Sequence, residues 1–413
     1  MEPDYLAAAT SGSGGDPAAW GAHDPTIVRA RDGRWLMFST DTAVAGGPGA
    51  GAQIRQSDDL VHWRWFGHAF DGVPSDAAQW SNAIGIWAPE VIRRGDEYRM
   101  YYSVSSFGSR TSAIGLATAP DATGPWQHRE LVVSTHHETS EVNAIDAAVV
   151  VDSDGSDWLL YGSFFGGLRI LPLGADGRPL VTDDVGTSVV RRARSINGAV
   201  EGGHAIYDEE SGTYALLCSF DSLFDTYNVR VARATSVTGP YVDPLDRPMI
   251  DTSEPPTQVG AVILAGYEAP DGTTWIAPGH SSHLVTDSGV FLVHHVRDGS
   301  DPTRHTAHVR RLEWTRTGWP LASPLPWGGP VASVPGDLGG EWLFYSLDAE
   351  AKSPHRPRRV DLAAETFTAL AESGRAKVTV EGRDFEAVLF VEADGVAVAG
   401  MDERGVVGWL VKA

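Results

Sequence analysis

The sequence predicts an all-β protein, a five-bladed β-propeller followed by a small C-terminal β-domain. Three observations carry that reading. Glycine (46 residues) and proline (25 residues) punctuate short β-branched and aromatic runs at close intervals, the pattern of many short strands. No long stretch shows apolar spacing of period 3.6, so few helices are expected. A hairpin unit also recurs five times, each time as a strand, a polar turn and a second strand opened by Trp or Tyr.

The units run in order along the chain. Thr26–Ala30 and Trp35–Thr40 form the first, Val91–Arg94 and Tyr98–Val104 the second, and Ala147–Val151 and Trp158–Phe164 the third. His204–Tyr207 with Tyr214–Phe220 is the fourth, and Val262–Tyr267 with Trp275–Pro278 is the fifth. Outer strands recur as well, since Ile114–Ala119 and Val229–Ala234 each lead into Thr-Gly-Pro followed by an aromatic residue. A β-sandwich has no reason to repeat this phase five times. Units spaced by about 45 to 65 residues suit four-stranded blades around one axis. From Gly318 to Gly340 the chain turns rich in Pro and Gly, which reads as a linker. The predicted division is a propeller over 1–335 and a small β-barrel-like domain over 336–413, with strands near Lys377–Val380, Ala387–Val391 and Val406–Val411.

Composition narrows the function. Hydrophobic residues make up 42%, including 14 Trp, 11 Tyr and 13 Phe, which is ample for a packed core. No apolar run approaches the ~18 residues needed to cross a bilayer. With 32 basic against 54 acidic residues the net charge is −22, and such a surface repels phosphate backbones and anionic membranes. A neutral polysaccharide meets no such objection. The single Cys218 excludes an internal disulfide, and its apolar neighbours suggest a buried strand thiol. The start, Met-Glu-Pro-Asp-Tyr-Leu, lacks the basic and apolar segments of a signal peptide. The expectation is an extracellular protein whose signal was trimmed, with a cytoplasmic one as the alternative.

The repeat makes the acidic residues legible. Asp24 lies 11 positions before Trp35, Asp146 lies 12 before Trp158, and Glu201 lies 13 before Tyr214. The inner strands of a propeller meet at one end, so equal phase should gather these three carboxylates at a central pocket. Glycosidic cleavage needs such a set: an acid for the leaving oxygen, a base for water, and a third group to tune the acid. Glu90 has a poorer phase, eight positions before Tyr98, and suits a supporting or substrate-contacting role. No His-x-x-x-His pattern, phosphate loop or Gly-x-Ser-x-Gly elbow is present.

The motifs occur in an ordered series: Ala-His-Asp-Pro-Thr-Ile (22–27), Ile-Trp-Ala-Pro-Glu-Val (86–91), Asn-Ala-Ile-Asp (143–146), Tyr-Gly-Ser-Phe-Phe-Gly-Gly (161–167), Val-Glu-Gly (200–202), Thr-Tyr-Asn-Val-Arg-Val-Ala-Arg (226–233) and Gly-His (279–280). Over 20–320 this series resembles glycoside hydrolase family 43, and within it the arabinanases. The resemblance implies an inverting enzyme that cleaves α-linked arabinofuranosyl bonds in an arabinose-containing polysaccharide. It implies Asp24 as general base, Asp146 as modulator and Glu201 as general acid, with Asp146 keeping Glu201 protonated by like charge. It further implies a calcium ion on the axis beside His280, and substrate contacts at His23, Trp87, Glu90, Asn143, Ser163 and Phe165. Ala147 stands where the family usually has proline, Glu90 where it has aspartate, and Ser281 where asparagine is common. The alternatives are an arabinofuranosidase, β-xylosidase or galactosidase on the same scaffold, or a non-catalytic carbohydrate-binding propeller. Val44–Ala52, rich in Gly and Ala, is expected to form part of the pocket rim.

Overall fold

A computed structural model describes residues 20–44, 47–48, 50–331 and 338–413. Its first five sheets follow the chain. The first blade pairs Thr26–Arg29, Trp35–Ser39, Gln53–Ser57 and Trp63–His68, all antiparallel. The second pairs Trp87–Arg94, Glu97–Val104, Ser112–Ala119 and Gln127–Thr135. The third contains Ala148–Val151, Asp157–Tyr161, Leu168–Pro172 and Thr187–Val190, and the fourth Val200–Asp208, Thr213–Phe220, Asn228–Ala234 and Ala261–Leu264. The fifth runs through Thr274–Thr286, Gly289–Asp298, Asp301–Trp314 and Pro320–Ala322, with the two-residue strand Tyr267–Glu268 at its inner edge. The five inner strands neighbour one another in a closed ring, the fifth returning to the first. The architecture is a five-bladed propeller.

Stability comes from between the blades. Apolar clusters fill each gap: Leu36 with Met100, Leu116 with Leu159, Leu160 with Leu216, Leu217 with Leu292, and Met37 with Phe291. The aromatic that follows each turn sits in one of these gaps. Tyr98 and Tyr214 are buried, and their hydroxyls reach across to Arg29 O and Asp152 of the preceding blade. A ring that fills the gap and bonds across it fixes the angle between sheets, which explains why the phase repeats. Cys218 lies in the gap between the third and fourth blades, and burial pushes its thiol up to about 12, so it is inert. The only α-helices among the described residues are short, Ser75–Ser81 and Thr368–Ser373.

The fifth unit departs from the sequence reading. Val262 belongs to Ala261–Leu264, the outer strand of the fourth blade, and the inner strand of the fifth is Thr274–Thr286, opened by Trp275. The predicted turn does form, with Tyr267 opposite Trp275, but its first strand is only two residues long. A local hairpin signal cannot tell the edge of one sheet from the start of the next. The long excursion between Ala234 and Ala261 delays the fourth blade's last strand until that signal begins.

The C-terminal residues form a six-stranded antiparallel sheet whose edges, Arg358–Leu362 and Arg375–Val380, are not paired with each other. One face packs Phe344 and Val398 under Phe367 and Leu370. The other face places Val388, Phe390 and Trp409 in the same cluster as Leu312, Trp314 and Leu321 of the fifth blade, so the core continues across the junction. Pro320–Ala322, inside the stretch read as a linker, is the fifth blade's outer strand. The predicted boundary at 335/336 falls outside the described residues, as does part of the expected rim loop.

Candidate active site

One backbone device recurs in all five blades, in the inner strand or just ahead of it. Asp24, Ala88, Asp146, Gly202 and His280 occupy equivalent places with φ of 51°, 39°, 60°, 54° and 47°. Four of the five are not glycine, and a left-handed residue of that kind costs about 1–2 kcal/mol. Side chains offset the strain by capturing the bent residue's amide. Ala88 N donates to Thr40 Oγ1 at 2.8 Å, Asp146 N to Ser103 Oγ at 3.0 Å and His280 N to Ser219 Oγ at 2.8 Å. Asp24 N donates to His295 Nδ1 at 3.3 Å. In each case the acceptor stands at the inner end of the preceding blade's second strand. The fourth blade is the exception: Gly202 N donates to Asp146 Oδ2 at 3.3 Å, which releases the matching hydroxyl, Ser163 Oγ, to donate to Glu201 Oε2 at 2.7 Å. A signal for this set lies in Phe-Ser-Thr (38–40), Tyr-Ser-Val (102–104), Tyr-Gly-Ser (161–163) and Cys-Ser-Phe (218–220), where hydroxyls recur at the strand ends.

The bends gather the three carboxylates. Asp24 Oδ1 faces His23 Nδ1 at 2.8 Å and His280 Nδ1 at 3.1 Å, and Oδ2 accepts from Thr40 Oγ1 at 2.5 Å. His280 Nδ1 also lies 4.0 Å from Asp146 Oδ2, so one imidazole spans two carboxyls. Glu201 sits one residue before its bend, inside the strand rather than ahead of it, and accepts from Ser163 Oγ and from Tyr227 OH at 3.0 Å. Tyr227 stands in the 226–233 motif, which assigns it no role; it lies one residue before the third strand of the fourth blade, and its ring reaches the site across Gly279.

The environments drive the three apart. Burial raises Asp24, but the charges of His23 and His280 and the hydrogen bonds from its imidazole neighbours outweigh it and hold Asp24 well below the usual carboxylate range. Burial also raises Asp146 and Glu201. For Asp146 the like charges of Glu201 and Asp24 add to the rise, and for Glu201 the bonds from Ser163 and Tyr227 only partly reverse it. At neutral pH the site therefore holds an ionised Asp24 beside a carboxyl pair that keeps a proton. Asp24 is the like charge common to both: it raises Asp146 and Glu201 alike, and Glu201 raises Asp146 further. Burial disfavours a charged His280, yet Asp24, Asp146 and Glu201 together raise it.

The remaining predicted residues divide. His23 holds the Asp24 carboxylate and stacks on His295 with ring centroids 3.7 Å apart. Trp87 is half-buried next to the Ala88 bend, and Phe165 is 41% exposed under the Arg110 guanidinium, 4.9 Å from its centroid. Asn143 is buried and accepts from Ser112 Oγ at 2.7 Å. Glu90 is buried two residues past the second bend, accepts from Thr26 Oγ1 at 3.0 Å, faces His204 Nε2 at 3.4 Å and lines the same axial cavity as Asp24 and Asp146. Asp24, Glu90, Asp146, His204, His280 and Ser281 line a small axial cavity of ≈ 20 Å³, above the ~10–15 Å³ that one water needs. Among the described residues, His23, Asp24 and His295 are a trio whose ligand atoms lie within 4.8 Å of one another.

Relatives share this architecture. The extracellular endo-α-(1→5)-L-arabinanase of Thermotoga petrophila is 29% identical over 398 residues, covering 86% of this chain and 82% of that protein. The extracellular endo-α-(1→5)-L-arabinanase 1 of Bacillus subtilis is 30% identical over 326 residues, covering 75% and 92%. The crystal structure of the Thermotoga petrophila endo-1,5-α-L-arabinanase in complex with TRIS superposes with a TM-score of 0.81 at 25% identity, over 97% of this chain and all of that one. The family model for glycosyl hydrolases family 43 matches residues 18–320, the whole run of blades that carries the three buried carboxylates. With that match and this fold, the chain belongs to glycosyl hydrolases family 43 and is a glycoside hydrolase.

Proposed function

We propose that the protein hydrolyses α-1,5-linked L-arabinofuranosyl bonds in arabinan, with inversion and outside the cell. The observation that carries the mechanism is the split in one pocket between an ionised Asp24 and the proton-holding pair Asp146 and Glu201. The relatives' names supply the substrate and the compartment. Asp24 takes the proton of the attacking water while His23, His280 and Thr40 hold its two oxygens in place. Glu201, aimed by Ser163 and Tyr227, gives its proton to the departing glycosidic oxygen. Asp146 raises Glu201 by repulsion and ties the acid's strand down through the Gly202 amide. Product analysis on linear and branched arabinan tests the substrate, and the anomeric form of the first product tests inversion.

A calcium ion fits the axial cavity by donor chemistry. Its walls offer the Glu90 carboxylate and Ser281 Oγ, a buried hydroxyl with no partner, beside His280. His280, with water completing the shell, would hold the ion, which would supply fixed positive charge to the carboxylates that line the same cavity. Thorough chelation should lower Tm and kcat together, and an unchanged chelated enzyme would remove the ion from the proposal.

The roles separate on two substrates. Glu201→Gln should abolish cleavage of arabinan yet retain far more activity on an activated aryl arabinoside, whose leaving group needs little protonation. Asp24→Asn should lose at least ~10²–10⁴-fold on both. If Glu201→Gln harms the two substrates equally, the assignment of acid and base is wrong.

A further inference from the structure

A second cavity lies away from the catalytic carboxylates. A cleft of ≈ 750 Å³ opens where the outer edge of the propeller meets the C-terminal sheet. That volume is within the ~300–1,000 Å³ of small-ligand sites. Pro244, Thr317 and Trp319 form one wall, and Lys377, Arg383 and Glu403 stand on the other. Trp319 precedes Pro320–Ala322, the outermost strand of the fifth blade, whereas the carboxylates stand at the inner strands.

We propose that this cleft is a second polysaccharide-binding site, which takes a neutral oligosaccharide segment of the polymer cut on the propeller axis. The lining has the chemistry of sugar recognition. Trp319 is half-buried and lines the cleft with its indole, which Arg233 holds in place from 4.0 Å over the ring, itself tied by Nη1 to Thr317 O at 2.8 Å. A sugar's C–H face packs on such a ring, and its hydroxyls need donors and acceptors nearby. Those are present in both kinds on the facing sheet, where Arg383 Nη2 donates to Asp402 Oδ2 at 2.7 Å and Lys377 Nζ stands 4.0 Å from Glu386 Oε1.

Charge selects the ligand class. The lining carries Lys377, Arg383 and Arg404 against Asp384, Glu386, Asp402 and Glu403, and the whole chain is at −22. The cations of the wall are already matched by its carboxylates, so a phosphate or acidic polymer finds no surplus positive charge, while a neutral one loses nothing. The cleft is built jointly: the turn at Gly405 packs on Pro244, where an added Cβ would lie 3.0 Å from that ring. A polymer held there would stay near the axis between cuts, which raises its effective concentration at the catalytic pocket. The identity of the polymer as arabinan rests on the function proposed above; the cleft's preference for a neutral chain does not.

The test uses the full chain. Glu201→Gln, which should not cut its polymer, is run in native gels containing debranched arabinan, galactan or xylan, with and without Trp319→Ala. A second background, Lys377→Ala/Glu403→Ala, changes the facing wall at exposed side chains and guards against misfolding of the tryptophan variant. Retardation by at least one neutral polymer that falls 3-fold or more in both backgrounds is expected. In the otherwise wild-type enzyme the same changes should lower the rate on the long polymer 3–10-fold and leave kcat/KM on a short oligosaccharide unchanged. Unchanged retardation, no retardation at all, or equal losses on long and short substrates would overturn the proposal. If the unaltered enzyme fails to cut arabinan but the cleft variants still lose retardation by galactan or xylan, the cleft stands and the arabinan assignment falls.

Discussion

Replacing Tyr227 by Phe should move the alkaline limb of the pH–rate profile upward by about one unit. The phenol donates to Glu201 Oε1 at 3.0 Å inside a buried site, and Ser163 holds the other oxygen. Burial raises Tyr227 far above the usual phenol range, so it remains a donor at every working pH. A hydrogen bond contributes about 1.5–3 kcal/mol when its acceptor is ionised and about 0.5–1.5 kcal/mol when it is neutral. Losing it therefore disfavours the Glu201 carboxylate by about 1–1.5 kcal/mol, and 1.36 kcal/mol is about one pKa unit. The direction follows: Glu201 keeps its proton to higher pH, and the acid-dependent step survives further into base. Phe preserves the ring's packing on Gly279, so geometry is held constant. The assay is kcat/KM against pH on an unactivated arabino-oligosaccharide. Asp146→Asn serves as the opposed control, because removing the like charge should move the same limb downward. An alkaline limb that stays put or moves down in Tyr227→Phe would mean that Glu201 is not the acid that limits the reaction.

Three further expectations follow from particular contacts. Gly279→Ala would place a Cβ 2.0 Å from the Tyr227 ring, so it should lower both kcat and Tm, read on the purified protein; a fully active variant would contradict the packing. Glu392 is 2% exposed with neither oxygen partnered, and burial, with Glu313 and Asp394 adding like charge, raises it from 4.5 to about 8. Its contribution is intact below the unfolded value and is lost as pH rises toward 8, so the wild type should lose on the order of 3.5 kcal/mol between about pH 5 and about pH 8. Glu392→Gln should not share that loss in denaturant titrations, and parallel curves would refute it. Deleting 338–413 should yield insoluble or unfolded protein. It would uncover Leu312, Trp314, Leu321, Leu325 and Tyr267, at about 1.5–3 kcal/mol each against a total stability of about 5–15 kcal/mol. A soluble, active truncation would show that the propeller stands alone.

The all-β class, the number of blades and the common phase of Asp24, Asp146 and Glu201 are legible in the chain, because each depends on local order. Polar turns, alternating strands and an aromatic that fills a gap between sheets leave a periodic trace in the chain. What turns those carboxylates into a site is contact between distant segments. The left-handed bends at Asp24, Asp146 and His280 are backbone angles, and the groups that stabilise them, His295, Ser103 and Ser219, come from a different blade in every case. Tyr227 reaches Glu201 only because a missing side chain at Gly279 lets its ring pass. The fifth blade was misphased for the same kind of reason, since which sheet receives Ala261–Leu264 is set by pairing with Asn228–Ala234 across a long excursion. The motif places Glu90 near the axis, but the partners it finds there, Thr26 of the first blade and His204 of the fourth, come from distant segments. The C-terminal sheet read as a separate unit because a linker is visible in composition, whereas the apolar face it shares with Leu312 and Trp314 is not. Periodicity records which faces are apolar; what each face meets is settled only when distant segments close on one another.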